Sequence, residues 1–202
     1  MQIRDNLLAF PSVISSYILD VDNKKMLKLF KSLHYIKTNA TKEGMSKSYS
    51  SKSMFLLNNL PELQKECNSA LKDYVHNTLQ QDVIFKYTRS WATKVAPKGF
   101  CQQHNHQNSW ISGVYYPQGH QSFKIRFYNP LDHFWKLNPK KHNLENASSF
   151  MFTAQNNLLL IFPSYLKHEI IYNDSKQNRY SLAFNIFPSG TLGSGDSEIH
   201  LS

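Results

Sequence analysis

Residues 99–117 read GFCQQHNHQNSWISGVYYP. His104 and His106 stand two positions apart, just ahead of WISGVYY, whose β-branched and aromatic residues predict a buried strand. On an extended segment, residues i and i+2 point to the same side. Two imidazoles aimed at one spot point first to a metal ion, and the rest of the chain must then supply further ligands.

Outward from this stretch, the region after residue 83 is strand-like throughout. VIFKYT, SWATKVAP, WISGVYYP, SFKIRFYN, SFMFTA, NLLLIFP, HEIIY and RYSLAFNIF are short apolar runs divided by Pro, Gly, Asn and Asp. About eight strands at this spacing predict a mainly β fold, a barrel or a double-sheet jelly roll. The preceding part reads as helical. Met26, Leu29, Phe30 and Leu33 recur at helical spacing behind a possible cap at Asp20 or Asp22. A second helix starts at Pro61, with Leu60, Leu63, Cys67, Ala70, Leu71, Tyr74 and Val75 forming one apolar stripe. These N-terminal helices are expected to pack on one outer face of the β core.

The expected organisation is a single domain over 1–188, with a helical part at 1–82 and a β core at 83–188, followed by a mobile tail at 189–202. The Asn-, Pro- and Lys-rich stretch 129–149 reads as a long loop of the kind used as a lid or binding loop.

Composition narrows the function. The chain has 202 residues, 41% hydrophobic and 18% charged, which fits a globular protein. Its longest apolar run, LLLIF at 158–162, is far too short to span a bilayer, and no signal-peptide pattern opens the sequence. Two cysteines, Cys67 and Cys101, make no disulfide framework; a reducing, cytoplasmic setting is the simpler expectation. The formal charge of +9 invites a nucleic-acid partner, but the basic residues fall in short scattered clusters: DNKKMLKLFK, LNPKKH and DSKQNR. They do not interleave with aromatics as single-strand binders require.

Of the nine histidines, His34, His76 and His200 fall on helical segments or in the tail, and His120, His133 and His142 in turns or the long loop. His168 is different. It opens HEIIY after LLLIFPSYLK, at a turn joining two buried strands, where it can meet the 104/106 pair at a barrel mouth. Eleven residues later, NRYSLAFNIF puts Arg179, Ser181, Ala183 and Asn185 on one face and Tyr180, Leu182, Phe184 and Ile186 on the other. An arginine in so apolar a strand is costly to bury unless it meets an anion. That anion is either a protein carboxylate or a small co-substrate, which chelates the metal at one end and is gripped by arginine at the other.

PKGFCQQHNHQNSWISGVYYP, LLLIFPSYLKH and RYSLAFN, taken in order, resemble the iron(II)- and 2-oxoglutarate-dependent dioxygenases. The likeness is strongest to an oxygenase family frequent in marine phages and bacteria, and it extends to the general pattern of prolyl hydroxylases. It covers about residues 85–188 and implies a double-stranded β-helix with iron near one open end. By position it implies His104 and His168 as metal ligands, with Arg179, Tyr116 and Ser181 holding the far carboxylate of 2-oxoglutarate.

His106 departs from the pattern, since the superfamily usually carries Asp or Glu there. Three readings follow: His106 is the third ligand, water takes that place with His106 behind it, or Asp132 swings in from the long loop. An imidazole is too bulky to make room for chloride, so the resemblance implies oxygenation rather than halogenation.

The implied activity is hydroxylation of a C–H bond, with 2-oxoglutarate and dioxygen as co-substrates and ascorbate as a possible activator. A protein or peptide side chain is the favoured substrate, with nucleic acid as a further candidate. Asn108 and Trp110 are candidates for substrate contact, Trp110 equally for packing. The competing expectation is a non-redox, cupin-like metal-binding barrel. The letters HNH at 104–106 do not make a nuclease, because that motif is spread over a ββα-metal unit and no suitable helix follows here.

Overall fold

The alternation along RYSLAFNIF governs the architecture seen in a computed structural model, which describes residues 10–37, 46–131 and 138–201. Twelve strands form two sheets among the described residues. In chain order they are β1 (Ser15–Ile18), β2 (Tyr35–Lys37), β3 (Ser48–Ser51), β4 (Ile84–Val95), β5 (Cys101–His104) and β6 (Ile111–Tyr116), then β7 (Lys124–Tyr128), β8 (Ser149–Thr153), β9 (Leu158–Pro163), β10 (His168–Ile170), β11 (Arg179–Leu192) and β12 (Ile199–Leu201). The major sheet runs β1-β9-β6-β11-β4-β3-β2, with β12 beside β11; the minor sheet runs β5-β10-β7-β8. The pairings between these strands are antiparallel.

Two helices cover the outer face of the major sheet. Helix α1 (Asn23–Ser32) is capped by Asp22, whose carboxylate accepts from the Lys24 and Lys25 amides, so the second of the two candidate caps is used. Helix α2 (Pro61–Lys72) has Pro61 in its first turn and runs on into a π-helical segment, Asp73–Thr78. The whole predicted stripe, Leu60 to Val75, is buried. It joins Met26 and Phe30 of α1 against Tyr115, Leu159, Ile161, Leu182, Phe184 and Ile186 of the major sheet.

A second core combines Val114, Tyr116, Leu158, Leu160 and Phe162 of the major sheet with Ile125 and Phe127 of the minor one. Each central strand is therefore split by parity. On β9, Leu159 and Ile161 meet the helices while Leu158, Leu160 and Phe162 face the minor sheet. Burial on both faces explains why these strands read as continuous apolar runs.

Three sequence expectations change. The part read as helical contains β1, β2 and β3 as well; β1 and β3 pair directly with β-core strands. VIFKYT and SWATKVAP are one twelve-residue strand, β4, because polar Arg89 and Ser90 remain in the ladder with β11 and Thr88 is taken up in a bulge where the register shifts. The segment read as a mobile tail instead continues β11 to Leu192 and returns as β12, with Gly190↔Leu201, Thr191↔His200 and Leu192↔Ile199 in register. In the 129–149 stretch, Asn129 ties the two ends together through bonds to the Ala147 and Ser148 carbonyls.

Gly113 on β6 stands directly opposite Phe184 on the neighbouring strand β11. A Cβ at this position would collide with the Cζ edge of the Phe184 ring, which is fully buried. We expect Gly113→Ala to cost about 1–3 kcal/mol, the usual range for overpacking a filled core. Chemical denaturation of the two proteins would measure this, and an unchanged midpoint would contradict the packing described.

Candidate active site

Pairing of β10 with β5 sets His168 directly opposite His104, and the register shifts between His168 and Ile170. His106 lies just past the end of β5, where its backbone N–H donates to the Ser164 carbonyl at 3.0 Å. This bond pins the turn after β5 onto the turn after β9. The pair thus converges through a strand end and a pinned turn, rather than through two positions of one strand.

The three histidines offer ligand nitrogens that all lie within 4.8 Å of one another. Ring centroids are 4.5 Å apart for His104–His168, 5.1 Å for His106–His168 and 5.2 Å for His104–His106. Nδ1 of His104 sits 2.8 Å from the Gln102 carbonyl, and Nδ1 of His168 sits 3.0 Å from the Leu166 carbonyl. A carbonyl only accepts, so each of these Nδ1 atoms carries the proton and each Nε2 keeps its lone pair. That is the tautomer a metal ligand needs.

Burial reinforces this. It lowers the pKa of His168 to about 3 and that of His106 to about 4, with His104 as a further cause in both. Both rings are neutral at pH 7. Three imidazoles this close suit a divalent cation and would repel one another if protonated.

The triad opens onto a cavity of about 340 Å³. Its walls are mostly apolar, including Trp91, Val114, Ile125 and Phe162, and apart from the histidines no Asp, Glu, Lys or Arg side chain lines it among the described residues. Glu169, next to His168, points elsewhere: its Oε1 accepts from Arg126 at 3.0 Å and from the Tyr128 hydroxyl at 2.8 Å. It is therefore not a carboxylate ligand in waiting. Asp132, the remaining acidic candidate from the sequence, lies outside the described residues, as does His133.

Arg179 is 1% exposed. One terminal nitrogen donates to the Tyr116 hydroxyl at 2.7 Å and the other to the Lys124 carbonyl at 3.2 Å, while Nε has no partner. The guanidinium also lies 4.9 Å from the Tyr116 ring centre. Among the described residues no carboxylate pairs with it. Burial raises the Tyr116 pKa, opposed by Arg179, so the phenol stays protonated and keeps a proton to donate. Tyr116 and Ser181 both line the cavity.

Asn108 and Trp110 do not line it. Asn108 turns the chain with φ of 57° and lines a separate surface hollow, and Trp110 packs on the helix-side core. Trp91 and Thr93 of β4 were not singled out in the sequence, yet they face the triad, and Trp91 lies 5.6 Å from His106 between ring centres. Strand parity carried their signal, but the partner strand that aims them inward is nearly a hundred residues away (Ala183↔Trp91).

A family described as "Putative 2OG-Fe(II) oxygenase" matches residues 89–185. No curated protein matches the chain. Among solved structures, a prolyl hydroxylase from Trichoplax adhaerens, in complex with a hypoxia inducible factor peptide fragment, shares 11% identity at a TM-score of 0.62, covering 86% of this chain and 83% of its own. HygX from Streptomyces hygroscopicus, solved with nickel, 2-oxoglutarate and hygromycin B, gives 8% identity and a TM-score of 0.62 over 88% and 83%. A Pseudomonas putida prolyl-4-hydroxylase gives 12% and 0.55 over 86% and 92%.

At these identities the likeness is one of fold, a two-sheet β architecture used by metal- and 2-oxoglutarate-dependent enzymes. The matched family covers the segment carrying His104, His106, His168 and Arg179, just under half of the chain, and over that segment this chain is similar to the 2OG-Fe(II) oxygenases.

The lowered histidine pKa values give a pH signature in metal-free protein. An unfolded histidine protonates near 6.5, whereas buried His106 and His168 resist to about 4 and about 3. Between those limits the unfolded state binds more protons, so stability falls as pH drops from about 6.5 towards about 4. Each ring contributes up to about 1.4 kcal/mol per pH unit. Urea melts at stepped pH should show this slope, and His168→Asn should flatten it.

Proposed function

We propose that the two packed sheets are a double-stranded β-helix of one domain that holds Fe(II) on His104, His106 and His168. In this reading 2-oxoglutarate chelates the metal, its far carboxylate resting on Arg179, Tyr116 and Ser181, and a C–H bond of a protein or peptide side chain is hydroxylated. The observation that carries the proposal is the coexistence of three converging imidazoles with a buried guanidinium that lacks an anionic partner among the described residues.

Bound Fe(II) would supply dioxygen activation coupled to the decarboxylation of 2-oxoglutarate to succinate. The chain's own residues do the rest. Carbonyls 102 and 166 fix the ring tautomers of His104 and His168. Arg179 offers two nitrogens whose present partners are neutral, and its Nε is unpaired. A carboxylate there would satisfy the guanidinium and take a hydrogen bond from the Tyr116 phenol. Trp91, Val114, Ile125 and Phe162 keep water from the cavity. Support for a peptide substrate is the fold shared with the peptide-bound prolyl hydroxylase.

Anaerobically purified protein given Fe(II), 2-oxoglutarate, ascorbate and air is expected to release succinate. Arg179→Ala should raise the 2-oxoglutarate requirement about 10–100-fold, the scale of hydrogen bonds to a charged group, while leaving metal affinity intact. His168→Ala should abolish turnover by removing metal. Zn(II) binding without any binding of 2-oxoglutarate would instead identify a non-redox metal-binding barrel.

A further inference from the structure

His106 lacks what orients the other two histidines. Its Nδ1 meets no carbonyl; its neighbour is the Asn185 amide, with Nδ2 placed 3.4 Å away. Asn185 Oδ1 in turn lies 2.8 Å from the Ser112 hydroxyl, which is 2.7 Å from the Ser164 hydroxyl. All three partners are buried: Ser164 fully, Ser112 at 1% exposure and Asn185 at 8%. They come from three places, β6, the turn after β9 and β11, and Ser164 also holds the His106 backbone through its carbonyl. The chain of side chains therefore ends on one imidazole nitrogen and nowhere else.

Amide oxygen and nitrogen are nearly isosteric, so the network decides the orientation of Asn185. With nitrogen towards His106, Nδ1 accepts and the neutral ring must carry its proton on Nε2. Such a ring cannot ligate a metal through Nε2. With the amide turned over, Oδ1 accepts from Nδ1–H, Nδ2 donates to Ser112, and Ser112 donates to Ser164. Every group in the network is still bonded, and Nε2 is left with a lone pair, matching His104 and His168.

We infer that Asn185, relayed through Ser112 and Ser164, is the positioning residue that selects the ligating tautomer of His106. This rests on the three-histidine site proposed above. It assigns to a neutral asparagine the orienting part that main-chain carbonyls play for His104 and His168. The amide holds the ring by accepting one proton and adds no charge to a site that already lacks a carboxylate.

Histidine-¹⁵N-labelled, Zn(II)-loaded full-length protein tests this directly by two-bond ¹H–¹⁵N correlation, with the His106 signals identified by their loss in His106→Ala. The expected result is a proton on Nδ1 of His106; a proton on Nε2 overturns the inference. Co(II) affinity gives a second readout. Asn185→Leu should weaken it about 10–100-fold, as loss of an outer hydrogen bond to a ligand does, and should weaken it no further once His106 is already alanine. An equal loss in both backgrounds would mark a merely structural effect and overturn the assignment.

Asn185→Asp keeps the acceptor and should retain wild-type Co(II) affinity. If Asn185→Leu does not fold, this variant decides alone, retention supporting the inference and loss overturning it. A His106→Ala protein with unchanged Co(II) affinity would sink the three-histidine site itself. A weakened His106→Ala together with an Nε2 proton would sink only the role of Asn185.

Discussion

Strand β11 cannot slip by one residue without destroying both halves of the molecule. Its even positions, Tyr180, Leu182, Phe184 and Ile186, seal the helix-side core. Its odd positions supply Arg179, Ser181, Ala183 and Asn185 to the opposite face, with Ser181 and Ala183 lining the cavity. Because side-chain direction alternates with period two, a single-step shift would exchange those sets. It would put leucine and phenylalanine beside the imidazoles and a guanidinium under α1. The register to β4 and β6 on either side is what holds the strand, so the chemistry of the cavity inherits its precision from the packing of the helices.

Charge gives the site its second constraint. The cavity brings together three imidazoles, two of which, His106 and His168, burial keeps neutral, and no carboxylate lines it among the described residues. A divalent ion there would have its charge balanced only by what binds next to it. An anionic co-substrate suits such a site better than it suits one already holding an aspartate. Arg179, buried with neutral partners, makes the same demand.

Local pattern made the helices, the Asp22 cap, the stripe on α2 and the β11 parity readable, because each depends on neighbours within a few residues. The His104/His106 pair was readable from its i, i+2 spacing, and His168 from its place at a turn between two apolar runs. Arg179 was readable from the cost of burying a guanidinium in an apolar strand, whereas Tyr116 came only from the family resemblance. Long-range pairing was not readable. Strands β1 to β3 are three or four residues each, too short to show an alternation of their own. The tail read as mobile, whereas the positive φ values of Gly193 and Gly195 shape the turn that returns β12 to β11. Asn185 was visible on the right face, but nothing in the sequence says that Ser112 and Ser164 lie beside it.

Two of the three imidazoles lean on main-chain carbonyls, at residues 102 and 166, and the third leans on a side chain. Main-chain oxygens survive every substitution that spares the backbone path. The histidines at 104 and 168 thus keep their alignment through sequence drift at the residues beneath them. At 106 the alignment is encoded in a replaceable residue, so the tolerance of this site to random mutation is lopsided. Its mutable edge is the position where it departs from the usual carboxylate.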